Sequence, residues 1–384
     1  MIKPAIVISA YNRTESLKRL FTSLSMAKYD YNDIPLIISI DKSDNQEVNK
    51  IAEGFEWSYG EKKVINYDNN LGLKKHFLKC GDFTYDYDSI IFLEDDLYVS
   101  PYFYNFAVDA LNYYNDNNDI AGISLYNFNI NETARRPFEP FNDGNDVYFA
   151  QLPSWGPIWT KTQWEKFRDW YNDYTLNEDE FLPDNVLKWP ETSFKKYYIS
   201  YLKNNNKYFV YPRSSFITNF SDKGEHYVSD TNVLQTPLIM GEREFSFVRL
   251  KDSKAIYDAH LEMLPECLKS FNENLKEYNF EVDIYGKKNL NKSNKEYALT
   301  SKKAYESIIS FSRNLKPHEL DIILNLNGNK IRLCKIKNLK NKKSKRSFLL
   351  DDIYYDLNSI SIIKLIWVDL FRIYDRIKSI IDNF

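Results

Sequence analysis

Eight residues constrain this chain more than any others: Ile90-Ile91-Phe92-Leu93-Glu94-Asp95-Asp96-Leu97. Four apolar residues in a row read as a strand buried on both faces, as in a parallel sheet. Three adjacent carboxylates repel one another and lose hydration unless a cation meets them. An extended backbone would turn Glu94 and Asp96 to one side and Asp95 to the other. Hard oxygen donors would then stand at the carboxyl end of a strand, where open α/β sheets bind ligands. Oxygen-only ligation suits Mg²⁺ or Mn²⁺, which complete their shells with water and phosphate oxygens. The same acids could instead be a solvated strand end that caps the next helix.

The stretch sits in a repeating pattern. Ala5-Ile6-Val7-Ile8-Ser9 reads as a strand, followed by the turn Tyr11-Asn12-Arg13-Thr14 and a helix with Leu17, Leu20, Phe21 and Leu24 at helical spacing. Leu36 to Ile40 reads as a second strand ending in Asp41, and Val64 to Tyr67 as a third, followed by Asp68-Asn69-Asn70-Leu71-Gly72. After the acids, Ser100-Pro101 signals a helix start, with Ser as cap and Pro in the first position. Ile120 to Tyr126 is a further strand. Repeated β-α-β with polar turns after each strand predicts a mostly parallel sheet with helices on both faces. The turns then share one rim, where Arg13, Asp41, Asn70, Lys74 and Asp96 gather. Arg and Lys suit phosphate there, and acids suit a base edge, a ribose or a metal.

Beyond residue 126 the pattern loosens into aromatic loops. Gln151 to Trp159 sets Gly156 beside Trp155, close backbone approach next to a flat face. Such faces stack on sugar rings, and equally fill cores. Trp189-Pro190-Glu191 precedes a helix-like stretch from Phe194 to Leu202, then Tyr208 to Arg213 forms a strand and breaker, and Asn219 to His226 a polar loop. A helix is expected around Ser253 to Tyr278 and a strand pair around Asn327-Gly328-Asn329. Composition shifts divide the chain into 1–245, a small α+β region over 246–345, and 346–384, a basic linker and amphipathic helix. From Asn329 to Arg346 there are nine Lys or Arg and no acid. The helix that follows suits an anionic membrane surface or the protein's own core.

Several classes are excluded. Lys and Arg number 51 against 54 Asp and Glu, so no global field favours nucleic acid. With 11 glycines there is no G-x-G-x-x-G or Walker loop, and no zinc-protease or serine-hydrolase motif. Cys80, Cys267 and Cys334 are widely spaced and read as reduced, buried thiols. The N-terminus runs straight into a strand without a charged-then-apolar leader, so a cytoplasmic protein is the expectation.

With these residues in hand, the chain resembles the GT-A-fold glycosyltransferases. More narrowly, it is similar to bacterial surface-polysaccharide glycosyltransferases and to the N-acetylglucosaminyltransferase I class. The resemblance rests on Ile6 to Arg13, Ile38 to Asp41, Leu93 to Phe103, Pro153-Ser154-Trp155-Gly156 and Tyr211 through His226, in that order, and covers about residues 4 to 230. It implies a Rossmann-like GT-A α/β domain and a metal-dependent, inverting transfer from a UDP-sugar, such as UDP-GlcNAc or a related hexose donor. Carried over residue by residue, Asp96 would bind Mn²⁺ or Mg²⁺, and His226 would join it. Glu94 and Asp95 would orient ribose, sugar or metal-bound water, Asp41 would read uracil, and Arg13 with Lys74 would meet phosphate. Ala10, Tyr11, Asn70, Trp155 and Gly156 would complete the donor site. The family's base, an aspartate after a tryptophan, maps onto Glu191, with a proline intervening and Asp184 close by.

The acceptor would be a hydroxyl of a surface glycan or lipid-linked intermediate, reached from the inner face of the cell membrane. Two rivals stand beside this reading. A nucleotidyltransferase would want a glycine- and base-rich first turn, which is lacking here. An inactive nucleotide-sugar- or glycan-binding scaffold would retain the donor site and lack a base.

Overall fold

The structure, a computed structural model, describes residues 1–175, 181–222 and 232–340, together with Leu370 and Ile373. In chain order, β1 (Ala5–Ala10), α1 (Thr14–Met26), β2 (Leu36–Ile40), α2 (Gln46–Gly54), β3 (Lys62–Asn66), α3 (Leu73–Asp82), α4 (Thr84–Tyr87) and β4 (Ser89–Glu94) realise the predicted alternation. β1 pairs in parallel with β2 on one side and β4 on the other, and β2 pairs in parallel with β3. The order β3-β2-β1-β4 reverses direction between β1 and β4, the crevice where doubly wound sheets place ligands. Burial on both faces explains the unbroken apolar runs: all of β2 and five residues of β4 are buried.

The acid-tipped strand ends at Glu94. Asp95 and Asp96 form a turn into β5 (Leu97–Val99), so the expected alternation of three side chains along one extended segment does not occur. Pro101 and Tyr102 form a turn, and α5 (Phe103–Tyr114) starts two residues later than the Ser-Pro signal suggests. The Ser100 hydroxyl still accepts from the Tyr102 amide at 3.2 Å.

The looser-looking second part contributes as much to the sheet as the first. β6 (Ile120–Ser124) is followed by the small pair β7 (Ile130–Asn131) and β8 (Arg136–Pro137), then β9 (Val147–Ala150) and β10 (Pro157–Thr160). β10 is the Pro157-Ile158-Trp159-Thr160 stretch, and it lies antiparallel between β4 and β6. No alternation marks it, because in mid-sheet Pro157, Ile158 and Trp159 are all buried. After α6 (Lys161–Asp173), α7 (Asp184–Leu187) and α8 (Phe194–Asn204), β11 (Tyr208–Pro212) joins β6 in parallel and β9 antiparallel. β12 (Ile217–Asn219) pairs antiparallel with β5, setting Asn219 opposite Leu97.

The long helix expected over 253–278 is instead β13 (Ile256–Tyr257) and α9 (Pro265–Phe271). Pro265 fixes where the helix begins, and the β-branched Ile256 beside an aromatic suits the sheet edge on which β13 pairs with β9. The main sheet therefore runs β13-β9-β11-β6-β10-β4-β1-β2-β3. A second sheet, β14-β15-β17-β16, comprises β14 (Phe280–Asp283), β15 (Tyr297–Thr300), β16 (Ile309–Phe311) and β17 (Ile331–Lys335), with α10 (Glu319–Ile323) between the last two. Buried Lys288 joins the two sheets, paired with Asp258 next to β13 and at 2.5 Å with Glu281 on β14. Cys80, Cys267 and Cys334 are free and buried. Leu370 and Ile373 are helical and exposed, and the rest of the tail lies outside the described residues. No helix among the described residues is long and apolar enough to cross a membrane.

Candidate active site

Ser9 on β1 stands opposite Glu94 on β4, so the turns that follow these two strands open side by side. Arg13 rises from the first turn and donates to both Asp95 and Asp96, the latter at 2.9 Å. The Tyr11 backbone amide also favours the charged form of Asp95. Asn219 donates to Asp96 Oδ1 at 3.3 Å, and the Phe220 amide donates to the Asp96 carbonyl at 3.1 Å. Asp95 and Asp96 are buried, and Glu94 is half-buried at the strand end.

One guanidinium thus faces three carboxylates. Burial works against the Arg13 charge, but Asp95 and Asp96 outweigh it and hold its pKa above the usual range. Burial and repulsion from Asp96 push Glu94 up to about 8. Burial pushes Asp95 up to about 6, with Arg13 pulling it back. The donor set is hard oxygen carrying surplus negative charge, which fits a divalent cation of the Mg²⁺ or Mn²⁺ type. Among the described residues no three acid or imidazole side chains already converge on one point, since Asp95 and Asp96 both turn to Arg13.

A pH dependence follows. Folded Glu94 and Asp95 hold their protons more tightly than free side chains do at 4.5 and 3.8. Their contribution to stability is therefore complete below those values and disappears as pH rises through about 6 for Asp95 and about 8 for Glu94. Metal-free protein should lose on the order of 5 °C in melting temperature between pH 5 and 8, a figure kept small because Glu94 is only half-buried. Scanning calorimetry on wild type and Glu94→Gln tests it: the variant should show a flatter slope, and identical slopes would refute the assignment.

The other rim residues are held by specific partners. Asp41 is buried, its Oδ1 accepting from the amides of Lys42 at 2.9 Å and Leu71 at 2.8 Å, and its Oδ2 from Gly72 at 3.0 Å. The carboxylate thus pins the β3–α3 turn and keeps about one accepting position on Oδ2. Asn70 donates to the Lys42 carbonyl at 2.9 Å, tying the same two turns together. The Ala10 carbonyl accepts from the Asp41 amide at 3.0 Å, and the Tyr11 carbonyl from Ser43 Oγ at 3.1 Å. Lys74 lies over the Tyr197 ring at 4.8 Å, so it reaches toward α8.

Trp155 is half-buried, its carbonyl accepting from Ser124 Oγ at 3.1 Å and its ring edge-on to Tyr126 at 4.9 Å. Gly156 has φ +58°, and a Cβ there would lie 2.5 Å from Ile217 Cδ1. Glycine is required on both counts. Glu191 is exposed in the turn before α8, and Asp184 is exposed at the start of α7. His226 lies outside the described residues.

Sequence reasoning passed over three residues. Asn219 sat in what read as a loop, and only the β5–β12 pairing brings it to Asp96. Lys195, in the first turn of α8, has its ammonium 4.8 Å over Trp155 and 5.9 Å from the Trp189 ring, close enough for Glu94 to feel its charge. Glu132 lies 3.6 Å from Lys195. No local signal marks any of them.

The model of glycosyl transferase family 2 matches residues 5–181. A search of curated proteins gives no significant match. Among solved structures, similarity extends to S. aureus TarS 1–349 in complex with UDP-GlcNAc, with a TM-score of 0.40, 13% identity and coverage of 58% of this chain and 60% of that one. The complex of TarS 1–349 with UDP gives 0.39 at 13% identity, covering 56% of this chain and 60% of that chain. The present chain thus spans about three-fifths of the TarS chain it matches. The family match begins with β1 and takes in the parallel block, both turns that meet at Arg13, and the Trp155–Gly156 loop. Over residues 5–181 the chain is thus similar to glycosyl transferase family 2, and its mostly parallel sheet flanked by helices is consistent with the GT-A fold.

Proposed function

We propose that the chain transfers a hexose or N-acetylhexosamine from a UDP-sugar to a hydroxyl of a surface glycan or lipid-linked acceptor, with inversion at the anomeric carbon. The observation that carries this reading is Arg13 held between Asp95 and Asp96 at the switch point of the parallel block. A nucleotide diphosphate bound there meets a guanidinium fork at its oxygens and hard carboxylates beside it. Asp96 is the residue to hold a divalent cation, with Glu94 and Asp95 beside it and His226, outside the described residues, as a further ligand. Bound there, such an ion would supply Lewis-acid stabilisation to the departing diphosphate.

This chain's own residues do the rest in the proposal. Arg13 neutralises charge on the leaving group. Asp41 offers its remaining acceptor position to the base, and Trp155 a flat face to the sugar. Glu191, with Asp184 as the alternative, takes the proton from the acceptor hydroxyl as it attacks from the face opposite the diphosphate. Single displacement inverts the centre. The basic, amphipathic tail is suited to hold the enzyme at an anionic membrane face where a lipid-linked acceptor is displayed.

The test is UDP release from a panel of UDP-sugars with and without Mn²⁺, in wild type and Asp96→Ala. One donor should be hydrolysed slowly, and the variant should lose roughly 10²-fold or more while melting normally. Wild-type protein that binds no UDP in calorimetry, with or without Mn²⁺, would end this reading.

A further inference from the structure

The chain leaving β12 wraps one side of Asp96 and is fastened to α1. β12 ends at Asn219, the last residue on the ladder with β5, so Phe220, Ser221 and Asp222 have left the sheet. Phe220 gives its amide to the Asp96 carbonyl at 3.1 Å. Ser221 is buried at φ +49°, a left-handed conformation that a serine holds only when its surroundings impose it. Asp222 Oδ2 accepts from Ser16 Oγ at 2.6 Å and from the Arg19 guanidinium. The same guanidinium lies 3.8 Å over the Phe220 ring.

The effect on Asp96 runs through one carboxamide. A backbone amide can only donate, so the Ser221 N–H, at 2.6 Å, requires the oxygen of Asn219. The Ser221 hydroxyl adds a second bond to that oxygen at 3.0 Å. The Asn219 NH₂ group is thereby turned to Asp96 Oδ1, a carboxylate oxygen that accepts. Arg13 takes Asp96 Oδ2, so both oxygens are oriented and each keeps accepting capacity. Arg13 caps α1, and Ser16 and Arg19 follow at successive three-residue steps. One helix thus presents the cation that meets the acid turn and the two donors that hold the segment behind it. The Arg19 and Asp222 side chains are each about a quarter exposed, so water screens the ion pair and its value lies in fixing geometry.

We propose that Arg19 and Asp222 are positioning residues: by fastening the 220–222 segment to α1 they hold Asn219 on Asp96 and keep that carboxylate aimed for a divalent cation. The proposal rests on the reading of Asp96 as the cation's ligand, and adds two residues that act on it through Asn219. Charge separates positioning from a simple electrostatic field. If the pair acted only through its charges, Arg19→Ala would leave the site more negative and tighten Mn²⁺ binding, while Asp222→Asn would weaken it. Positioning weakens binding in both.

The experiment measures Mn²⁺ affinity by electron paramagnetic resonance, with and without UDP, in wild type, Arg19→Ala, Arg19→Lys, Asp222→Asn and Ser16→Ala. Calorimetry gives UDP affinity without Mn²⁺. Melting temperatures confirm folding, and Ser16→Ala, which removes only a hydroxyl, serves where the others fail to fold and should weaken Mn²⁺ in the same direction. Arg19→Ala and Asp222→Asn should each weaken Mn²⁺ binding about tenfold, the lower end of what losing a group behind a metal ligand costs. Arg19→Lys should recover most of that, because it keeps a cation for Asp222. UDP affinity without Mn²⁺ should stay at the wild-type value, since Arg13 is untouched, whereas a general loosening of the fold would lower both affinities. Variants that bind Mn²⁺ as tightly as wild type or tighter, or that lose UDP and Mn²⁺ in parallel, would overturn the positioning role and leave the transferase reading intact. Wild type that binds no Mn²⁺, with or without UDP, would remove the cation reading of Asp96 and the positioning role with it. Mn²⁺ binding that responds to the variants as expected, with no UDP-sugar hydrolysed, would leave the positioning role standing and remove the transferase reading.

Discussion

Arg13→Ala is expected to destabilise the protein by about 2–4 kcal/mol and to weaken UDP binding by roughly 10- to 100-fold. Its side chain is the cation hydrogen-bonded to Asp95 and Asp96, both buried. Removing one partner of a buried pair leaves the other's desolvation uncompensated, and here two acids are left. The figure sits below the full penalty because a quarter of the Arg13 side chain is exposed, so water partly replaces it. The binding loss is that of a charge-assisted contact to a phosphate.

Two further measurements separate these roles. Asp95→Asn in the Arg13→Ala background should recover part of the stability, because it removes one orphaned charge, and it should leave UDP binding weak. Mn²⁺ should raise the melting temperature of Arg13→Ala more than that of wild type, since the ion then enters a more negative site. A variant melting within 1 °C of wild type, as judged on the usual scale of a few degrees per kcal/mol, would contradict the clamp.

Gly156→Ala should cost about 2–4 kcal/mol and should lower activity beyond what the stability loss explains. A left-handed alanine is strained by about 1 kcal/mol or more, and overpacking adds about 1–3 kcal/mol. The added methyl would lie 2.5 Å from Ile217 Cδ1 and 3.0 Å from Leu125 Cβ. Ile217 is on β12, two residues before Asn219, the amide that donates to Asp96. Pushing Ile217 outward therefore loosens the acid cluster from the far side. Ile217→Val removes the clashing Cδ1, and the double variant should regain activity while keeping the penalty of positive φ. Equal activity losses in single and double variants would show that the loop acts otherwise, through the position of Trp155.

The sequence itself carried the architecture of the first half. Apolar runs such as Leu36 to Ile40 and Ile90 to Leu93, each followed by a polar turn, are local patterns whose meaning does not depend on distant residues. The same is true of the acid triplet, because adjacent carboxylates demand a cation wherever they lie. Beyond residue 126 local patterns fail. β10 is a strand in the middle of a sheet that reads as an aromatic loop, and the helix expected from 253 is cut short by Pro265 and by an edge strand that only the sheet can provide.

Tertiary structure decided what satisfies each charge. The chain places Arg13 82 and 83 residues from the acids it meets, and Asn219 123 residues from Asp96. Asp41, read as a nucleotide contact, also spends its carboxylate on amides of the β3–α3 turn, 30 and 31 residues away. Glu132 and Lys195 look like ordinary surface residues until the fold sets them 3.6 Å apart, with Lys195 over the Trp155 ring. Sequence fixes which groups need partners, since that is a property of the side chain. Which partner arrives, and which group is left open for a ligand, depends on long-range strand pairing and packing that no short window contains.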